Sequence, residues 1–420
     1  METISFLNYL IAMVFMICYS YQFVYMIVAL LRKPAPLPAA SPRRYAVAIS
    51  ARNEQAVIAQ LIDSIRRQKY PAECIDIFVV ADNCTDETAA VARQAGAVVW
   101  ERSNRQYVGK GYALAFLFGC IEETRGLGTY DGYFIFDADN LLDEQYIARM
   151  NDVFSAGYRI VTSYRNSKNY ASNWISAGYS LWFIRESRYL NGARMLLGTS
   201  CAVSGTGFLV HRDIILRNGG WNHFLLTEDI EFTVDSILQG ERIGYCHDAI
   251  LYDEQPVTFG QSWRQRLRWA KGFLQVFHNY GTKMLRGIFA YGGFSCFDMM
   301  MAIFPAILLT ITGALLNAAG AVVSFLYYDW DTLTLLRSVF ETLRNAYGLL
   351  FAVGLVTVVT EWRRIHCGAL QKIFYTFTFP LFMFTYIPIS VTALFKKVEW
   401  TPIGHSIAKS LDDVRSPSER

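Results

Sequence analysis

Two kinds of hydrophobic pattern alternate along the chain. Long apolar runs occupy both ends, and short apolar runs alternate with amphipathic windows between them. The first long run, residues 4–31, contains no charged residue, and about 20 apolar residues are enough to cross a bilayer. Three more runs cover about 299–328, 346–359 and 373–395. The pattern predicts one membrane helix near the N-terminus and a bundle of membrane helices near the C-terminus.

Basic residues follow the first span and give it a direction. Arg32, Lys33, Arg43 and Arg44 surround a proline-rich linker, and the positive-inside rule places this side in the cytoplasm. The span is too long for a signal peptide, and it lacks both a basic n-region and a small-residue cleavage site. We therefore expect it to be retained, with the N-terminus outside.

The last apolar run carries conflicting topology signals. Counting spans places the C-terminus outside, whereas Lys396 and Lys397 directly after the run favour the inside. Pro380 and Pro388 could break the run into a re-entrant hairpin, which would reconcile the two. The sequence leaves this topology open, and we favour a cytoplasmic tail.

The segment between the spans has the pattern of an α/β domain. Strands are predicted at YAVAIS, IDIFVVAD, AVVWER, YFIFDAD and RIVTSY, and helices at about 55–68, 85–95, 110–124 and 143–155. Strands that alternate with helices favour a mostly parallel sheet. Ligands bind such sheets at the carboxyl ends of the strands, so the polar residues there are the candidates for chemistry.

Composition and charge narrow the class of protein. Of the 420 residues, 53% are hydrophobic and only 18% are charged, which argues against an ordinary soluble enzyme. The net charge of +3 gives no basic footprint for nucleic acid. The eight cysteines lie far apart without a zinc-site spacing. We expect them to be reduced, mostly buried thiols facing the cytosol.

Acidic residues end three of the predicted strands. Glu54 follows the first strand, Asp82 ends the second, and Asp137 and Asp139 end the fourth. Asp is also a common turn and cap residue, and a DxD pair alone is a weak signal. Two carboxylates at one sheet edge suit Mg²⁺ or Mn²⁺ carrying a diphosphate, because these hard cations prefer oxygen ligands.

Two acidic residues stand at the start of a later helical window. Glu228 and Asp229 precede IEFTVDSILQG, where the helix dipole stabilises a carboxylate, so helix capping is one interpretation. The other is that Asp229 is a general base that deprotonates an acceptor hydroxyl.

Three residues of a long amphipathic stretch share one helical face. Gln265, Arg268 and Trp269 have that spacing. The stretch is rich in Trp, Arg and Lys, which is also typical of a helix at the lipid headgroups. Both descriptions can hold at once.

Two short segments are weaker candidates for ligand contact. The loop 203–207 contains Gly205 and Thr206, which allow close approach of a ligand or form a tight turn. Lys110 opens a predicted helix, where a cation and free N–H groups favour phosphate.

The ordered motifs ARNE, VADN, FDADN, TED and QRLRW, with one span before them and several after, resemble the membrane-embedded family-2 glycosyltransferases. That group includes cellulose, hyaluronan and chitin-oligosaccharide synthases and ceramide glucosyltransferases. The resemblance covers about residues 45–275. It implies a GT-A-like, Rossmann-like α/β cytosolic domain flanked by transmembrane α-helices and amphipathic interface helices.

The resemblance also implies a role for each motif residue. Asp82 would contact uracil and ribose, with Glu54 and Lys110 nearby, and Asp137 and Asp139 would hold the diphosphate through Mg²⁺ or Mn²⁺. Asp229, beside Glu228, would be the catalytic base. Arg268 would bind the diphosphate. The acceptor would be bound by Gln265, Trp269, Gly205 and Thr206. A gating-like segment would contain Trp400 and Thr401. Ala51 and Arg52 stand where relatives often have a proline and an aromatic residue, so the wall of the uracil pocket is not predicted.

The implied activity is that of an inverting enzyme at the plasma (inner) membrane. It would polymerise sugar from UDP-glucose or UDP-GlcNAc into a β-linked polysaccharide and translocate it. The alternatives are a non-processive lipid glycosyltransferase, similar to ceramide glucosyltransferases, and a membrane scaffold with an inactive domain. The implied partners are the donor, a polysaccharide or lipid acceptor and the bilayer, without nucleic acid; a homo-oligomer is left open.

The same assignment divides the chain into six segments. They are an N-terminal transmembrane helix (1–31), a basic and proline-rich linker (32–44), a GT-A domain (45–256), an interface helix with QxxRW (257–290), a C-terminal transmembrane bundle (291–395) and a cytoplasmic gating-like tail (396–420).

Overall fold

The computed structural model describes residues 2–290, 293–304, 308–309, 312–313, 315–320, 322 and 332–415. The expected span at 299–328 therefore lies partly outside the described residues. The α-helices are α1 Glu2–Tyr19, α2 Tyr21–Leu31, α3 Ile58–Arg66, α4 Thr88–Gln94, α5 Lys110–Arg125, α6 Tyr146–Ser155, α7 Trp174–Arg185, α8 Gly192–Leu197, α9 Arg212–Arg217, α10 Glu228–Leu238, α11 Phe259–Phe289, α12 Gly293–Ile303, α13 Thr332–Thr360, α14 Ala369–Phe384, α15 Tyr386–Phe395 and α16 Leu411–Arg415.

The strands form one mixed sheet of eight. They are β1 Tyr45–Ala51, β2 Ile75–Asp82, β3 Val98–Arg102, β4 Gly132–Asp137, β5 Leu141–Leu142, β6 Ile160–Ser167, β7 Phe208–His211 and β8 Ile243–Asp253, in the order β3-β2-β1-β4-β7-β6-β8-β5. Short 3₁₀ segments lie at Ala72–Cys74, Leu127–Thr129 and Tyr170–Ser172, and a π-helical segment lies at Glu186–Asn191.

The five predicted strands are present, and β1 to β4 are parallel as expected. Strand β7 runs antiparallel to both β4 and β6, and β5 runs antiparallel to β8. Strands β5, β7 and β8 are not predicted from the sequence. The first two have only two and four residues, too few to show a period.

Both faces of the sheet are buried. Along β1, Ala46 and Ala48 belong to the core beneath α5, whereas Val47 and Ile49 belong to the core beneath α3. Successive side chains of a strand point to opposite faces, so a strand covered on both sides reads as a continuous apolar run. This burial holds the carboxyl ends of the central strands in fixed positions.

Among the described residues, three helical stretches are long and apolar enough to cross a membrane: Tyr9–Leu31, Val339–Thr360 and Ala369–Phe395. The last one covers the apolar run for which the sequence left a spanning helix and a re-entrant hairpin open. It is one stretch of 27 residues, interrupted where α14 gives way to α15 at Thr385. Arg266 on α11 donates to the Phe382 carbonyl at 3.1 Å and to the Thr385 hydroxyl at 2.6 Å. The break is thus satisfied by hydrogen bonds from the interface helix.

A buried ion pair joins the α/β domain to the apolar helices. Arg194 on α8 donates to Asp298 on α12 at 2.7 and 2.9 Å. Tyr21 and Tyr25 on α2 donate to the same carboxylate at 2.9 and 2.7 Å. A buried charge needs such a complete set of partners, so these contacts fix α2, α8 and α12 relative to one another.

All eight cysteines are free of disulfide bonds, but fewer of them are buried than expected. Cys201, Cys246 and Cys296 are buried, and the other five are half-buried.

Candidate active site

The carboxyl ends of β1, β2 and β4 lie side by side, because these strands are parallel neighbours. Asp82 at the end of β2 is buried and forms an ion pair with Arg102, its neighbour at the end of β3. Arg102 also donates to the Tyr107 carbonyl at 2.7 Å. Sequence analysis missed Arg102, although the register of two predicted parallel strands could have paired it with Asp82.

Lys110 is the centre of a first group of charges, which we call the lysine cluster: Lys110, Asp137, Glu228 and Asp229. Its ammonium donates to Asp137 and, at 2.6 Å, to the Gly205 carbonyl. Glu228 lies 3.9 Å from the same nitrogen. Burial opposes the charge, but the carboxylates raise the pKa of Lys110 above its ordinary value. Lys110 is therefore a cation that holds three acidic residues together.

The two carboxyl groups at the start of α10 are hard to ionise. Burial raises the pKa of Glu228 to about 7, against the opposing charge of Lys110. Burial also raises the pKa of Asp229, which Lys110 and Arg268 oppose. A base is most effective when its pKa lies near the working pH. The pair is thus suited to accept a proton.

Gly205 lies between the lysine cluster and the next charged group. Its φ of +76° is in the left-handed region, and a Cβ there would lie 3.6 Å from Arg165 Nη1 and 3.9 Å from Asp229 Oδ2. The loop is thus both a tight turn and a place of close approach.

Thr206 has a different position from the one expected. Its hydroxyl accepts from the Asp137 backbone N–H at 2.8 Å and hydrogen-bonds Asn140 Oδ1 at 2.5 Å. The side chain is buried beneath the Asp137 turn. The structure gives Thr206 a positioning contact, where the sequence interpretation assigned an acceptor contact.

Asp139 belongs to a second group, the tail cluster: Glu54, Asp139, Lys168, Glu254 and His405. It is buried and accepts from the Glu254 backbone N–H at 2.8 Å. Although burial opposes ionisation, His405 and Lys168 lower the pKa of Asp139. Asp137 and Asp139 are two residues apart but have different charged neighbours, because the chain turns between them.

The C-terminal tail covers this second group. His405 Nδ1 lies 2.8 Å from Glu54 Oε1 in a hydrogen bond, and the backbone N–H groups of Ser406 and Ile407 donate to Glu254 at 3.1 and 2.8 Å. Sequence analysis missed His405, Lys168 and Glu254, because their positions depend on a contact between residues hundreds of positions apart.

The charges of the tail cluster stabilise one another. Burial raises the pKa of Glu54 to about 7, even though His405 acts to lower it. Burial acts to lower the pKa of His405, but Asp139 and Glu54 together raise it to about 10. His405 is therefore a cation at neutral pH.

Trp400, in the expected gating-like segment, lies near the carboxyl end of β1 and the start of α5. The Arg52 guanidinium lies 5.3 Å from the centre of its ring, and a Cβ on Gly109 would lie 3.8 Å from the ring. The neighbouring Thr401 is exposed. Arg52 thus meets the tail, at the position where an aromatic residue was expected.

The surroundings of Asp137 and Asp139 fit a site for a divalent cation. Asp137 is 36% exposed at its side chain, and within the described residues only one of its carboxylate oxygens accepts a hydrogen bond. Asp137 and Asp139 both act electrostatically on Glu54 and Arg165, so the two face a common region. The described residues contain no cluster of three metal-ligating side chains. Two carboxylates fit a divalent cation whose other ligands are phosphate and water.

The QxxRW residues lie on α11 beside the lysine cluster. Trp269 packs edge-on to Tyr179 and Phe183, with ring centres 5.7 and 5.9 Å apart. Gln265 Oε1 and Arg268 Nε are buried and have no hydrogen-bond partner in the part of the chain that the structure describes. Because buried polar atoms are nearly always paired, these atoms point to a ligand. Arg268 also acts on the Glu228 and Asp229 carboxyls.

The structure therefore brings most of the predicted residues together, in two groups. Gly205 and Arg268 lie beside the lysine cluster, and Gln265 and Trp269 share a face of α11 with Arg268. Glu54 and Asp139 lie under the tail. Asp82 belongs to neither group and forms its ion pair with Arg102 at the carboxyl ends of β2 and β3.

Comparison with known proteins identifies the family of the chain. The model of the family described as "Glycosyltransferase like family 2" matches residues 42–272. A probable glycosyltransferase, YdaM, of Bacillus subtilis is 28% identical over 54% of this chain and 55% of its own length. A beta-monoglucosyldiacylglycerol synthase of Synechocystis is 26% identical over 55% of this chain and 48% of its own length.

A third relative makes a polymer. A poly-beta-1,6-N-acetyl-D-glucosamine synthase of Staphylococcus aureus is 24% identical over 53% of this chain and 53% of its own length. The chain thus spans about half the length of the curated relatives it matches.

One solved structure shares the fold over most of the chain. A mannosyltransferase of Pyrobaculum calidifontis, in complex with GDP-Man and Mn²⁺, aligns with a TM-score of 0.58 and 17% identity. The alignment covers 93% of this chain and 99% of that one. The expected GT-A-like α/β fold and the expectation of a glycosyltransferase are confirmed.

Proposed function

The chain belongs to the glycosyltransferase-like family 2, and we propose that it transfers sugar from a UDP-sugar donor to a hydroxyl acceptor at the surface of a membrane. The leading form of the proposal is a processive enzyme that makes a β-linked polysaccharide from UDP-glucose or UDP-GlcNAc and passes it through its own membrane helices. The observation that carries the proposal is the lysine cluster, with two carboxyl groups of raised pKa beside Arg268, whose buried Nε has no partner among the described residues.

Asp229 is the proposed base. It takes the proton of the acceptor hydroxyl while the acceptor oxygen bonds to C1 of the donor sugar and the bond between C1 and the diphosphate oxygen breaks. The electron pair of that bond leaves with UDP. Attack from the face opposite the leaving group inverts C1, so an α-linked donor gives a β-linked product. Burial, together with the adjacent charge of Asp229, keeps the pKa of Glu228 high, so the pair holds a proton readily.

In this proposal the donor lies along the carboxyl ends of β1, β2 and β4. Asp82 binds uracil and ribose, with Glu54 and Lys110 nearby. Arg268 binds the diphosphate, whose negative charge grows as the bond to the sugar breaks. A cation that strengthens its contact in the transition state accelerates the reaction.

Asp137 and Asp139 would hold Mg²⁺ or Mn²⁺, which supplies charge neutralisation to the diphosphate when bound. Because the ammonium of Lys110 contacts Asp137 in the structure, one carboxylate oxygen of Asp137 serves Lys110 and the other remains for the cation.

The acceptor approaches from the side of α11. Trp269 supplies an aromatic surface, and Gln265 Oε1 supplies an acceptor of hydrogen bonds that is unpartnered within the described residues. Gly205 leaves room for close contact beside Asp229.

The second candidate is transfer of one sugar to a lipid. It is favoured by the similarity to beta-monoglucosyldiacylglycerol synthases. The break between α14 and α15, beside Trp269, would then admit the lipid headgroup.

The proposed arrangement in the membrane follows the six segments of the sequence analysis. The segment 1–31 and the bundle 291–395 cross the plasma (inner) membrane, and the helix 257–290 lies at its surface. The domain 45–256, the linker 32–44 and the gating-like tail 396–420, with Trp400 and Thr401, face the cytoplasm. A homo-oligomer remains part of the proposal for the polymer path.

The test is a reaction with the purified full chain in nanodiscs. Each UDP-sugar of a panel is added with Mn²⁺ or Mg²⁺, and UDP release and product size are measured together. UDP release with one donor and a high-mass product sensitive to a β-glycosidase supports the processive form. Release only with added diacylglycerol, and one sugar per lipid, supports the second candidate. No release with any donor and acceptor contradicts both.

A further inference from the structure

One carboxylate near the lysine cluster has no role in the proposed reaction. Glu186 is the first residue of the π-helical segment between α7 and α8, and π-helical turns occur frequently at functional sites. The side chain is half-buried. Burial raises the pKa of Glu186, and Asp229 raises it further, so the two carboxyls lie within electrostatic reach of each other.

The cations around Glu186 are all bonded to other groups. Arg165 donates to Asp253 at 2.6 Å, Arg194 to Asp298 at 2.7 Å, and Arg185 to Gln22 at 2.7 Å. Within the described residues, the only hydrogen bond to the Glu186 carboxylate is a long one of 3.4 Å from the Ser204 hydroxyl. Glu186 is therefore a carboxylate in a positive environment with hydrogen-bonding capacity to spare.

Glu186 is connected to the acceptor side of the proposed site by a continuous wall of side chains, which is formed by Phe183, Arg165 and Ser204. Trp269 contacts Phe183, and the Arg165 guanidinium lies on the Phe183 ring, 3.6 Å from its centre. Arg165 Nη1 donates to the Ser204 carbonyl at 2.9 Å. Ser204 in turn contacts Glu186.

The wall comes close to the proposed base at Gly205. Gly205, next to Ser204, separates Arg165 from Asp229 and carries no side chain that would fill the space. A hydroxyl held by Asp229 can thus have a neighbouring hydroxyl on the side of Glu186.

We propose that Glu186 binds a second hydroxyl of the acceptor, and so sets which acceptor hydroxyl faces Asp229. This inference rests on the proposed transferase function. The ligand chemistry is a polyol with neighbouring hydroxyls, which a sugar at the end of a chain and a glycosylated lipid headgroup both offer. Because a charged carboxylate bonds a hydroxyl more strongly than a neutral amide does, the negative charge of Glu186 is the feature to remove.

The test compares Glu186→Gln with Glu123→Gln, the same change on the exposed face of α5. Both variants are assayed in nanodiscs for acceptor KM, donor KM and UDP release without acceptor. Cello- and chito-oligosaccharides probe the polymer source, and diacylglycerol and its monoglucoside probe the lipid source. We expect the acceptor KM of Glu186→Gln to rise about tenfold or more, with donor KM and acceptor-free UDP release unchanged. The control variant keeps all wild-type values.

Two results would overturn the inference. One is an unchanged acceptor KM in Glu186→Gln. The other is an equal loss of UDP release with and without acceptor, which would place Glu186 in the support of Asp229. If Glu186→Gln does not fold, the acceptor KM and the donor KM of Ser204→Ala and Glu186→Asp are measured instead. A wild-type protein inactive with every donor removes the proposed function itself, whereas an active wild type with an unaffected variant removes only this inference.

Discussion

The lysine cluster and the tail cluster use carboxylates in two different ways. In the lysine cluster, one ammonium from the first residue of α5 faces three carboxyl groups, and Asp137 is partly open to solvent. In the tail cluster, His405 arrives from the far C-terminus and lies against Glu54 beside the buried Asp139. The first cluster is built within the α/β domain. The second is complete only when the tail is in place.

The difference teaches that the two aspartates of FDADN are not equivalent. Asp137 has a partner in the same domain, and Asp139 has partners in the tail and at the end of β8. Movement of the tail would therefore change the surroundings of Asp139 while leaving those of Asp137. Variants in the two clusters should accordingly have separable effects.

The largest effect is expected from Asp229→Asn in the lysine cluster. Loss of a general base reduces transfer by about 10²–10⁴-fold, whereas donor KM should stay within about twofold because the substitution removes no proposed donor contact. UDP release and product formation measure both. Asp248→Asn, at a side chain 69% exposed, is the matched control. Full activity of Asp229→Asn would show that the base is elsewhere.

Lys110→Met tests the same cluster through its pH dependence. Burial raises the pKa of both Glu228 and Asp229, and Lys110 acts to lower it, so without Lys110 both carboxyls hold their protons to higher pH. The acid side of the activity profile should shift to higher pH, and the rate at neutral pH should fall about tenfold or more. Rates from pH 5 to 9 check this. A profile that shifts to lower pH contradicts the assignment.

His405→Ala breaks the tail cluster instead. The folded-state pKa of His405 is raised from 6.5 to about 10, so its stabilising effect is present below pH 6.5 and is lost as the pH rises through about 10. The difference in melting temperature between wild type and His405→Ala should be widest near pH 6. At that pH the substitution should lower the free energy of unfolding by about 1–3 kcal/mol. The difference should disappear near pH 10.

Melting curves in chelator-containing buffer measure this difference directly. His278→Ala, on α11, is the comparison for a histidine outside the cluster. A difference that widens with rising pH would contradict a His405 cation that stabilises the fold.

The smallest effect is expected from Trp400→Ala. The cation–π contact with Arg52 is worth about 0.5–1 kcal/mol, so donor KM should rise about two- to fivefold with little change in maximal rate. Lys397→Ala, at a side chain 89% exposed, is the control from the same segment. An equal effect of both variants would place the cause in the tail as a whole and not in the contact.

Much of this architecture follows from local sequence patterns. Apolar runs identified the strands β1 to β4 and β6, and period and length identified α5 and α11. The parallel arrangement then placed Asp82 and Asp137 at one edge. The order of five motifs led to the family that the comparisons confirm, because the residues of such motifs carry out the chemistry of a site.

Other features have no local signal. The antiparallel β7 is four residues long, and the pairing of Arg102 with Asp82 depends on strand register. The break at Thr385 takes its hydrogen bonds from Arg266, more than a hundred positions away. The environment of a side chain is set by what packs against it.

The sequence by itself determined the alternation of strands and helices, the apolar helices and the identity of the acidic and QxxRW residues. Only the tertiary structure decided that Lys110 joins Asp137 to Glu228, that His405 closes over Glu54, and that Glu186 lies near Asp229 with no ion-pair partner among the described residues. The physical reason is that hydrophobic periodicity is a local property of the chain, whereas pKa and hydrogen bonding depend on burial and on neighbours brought together by folding.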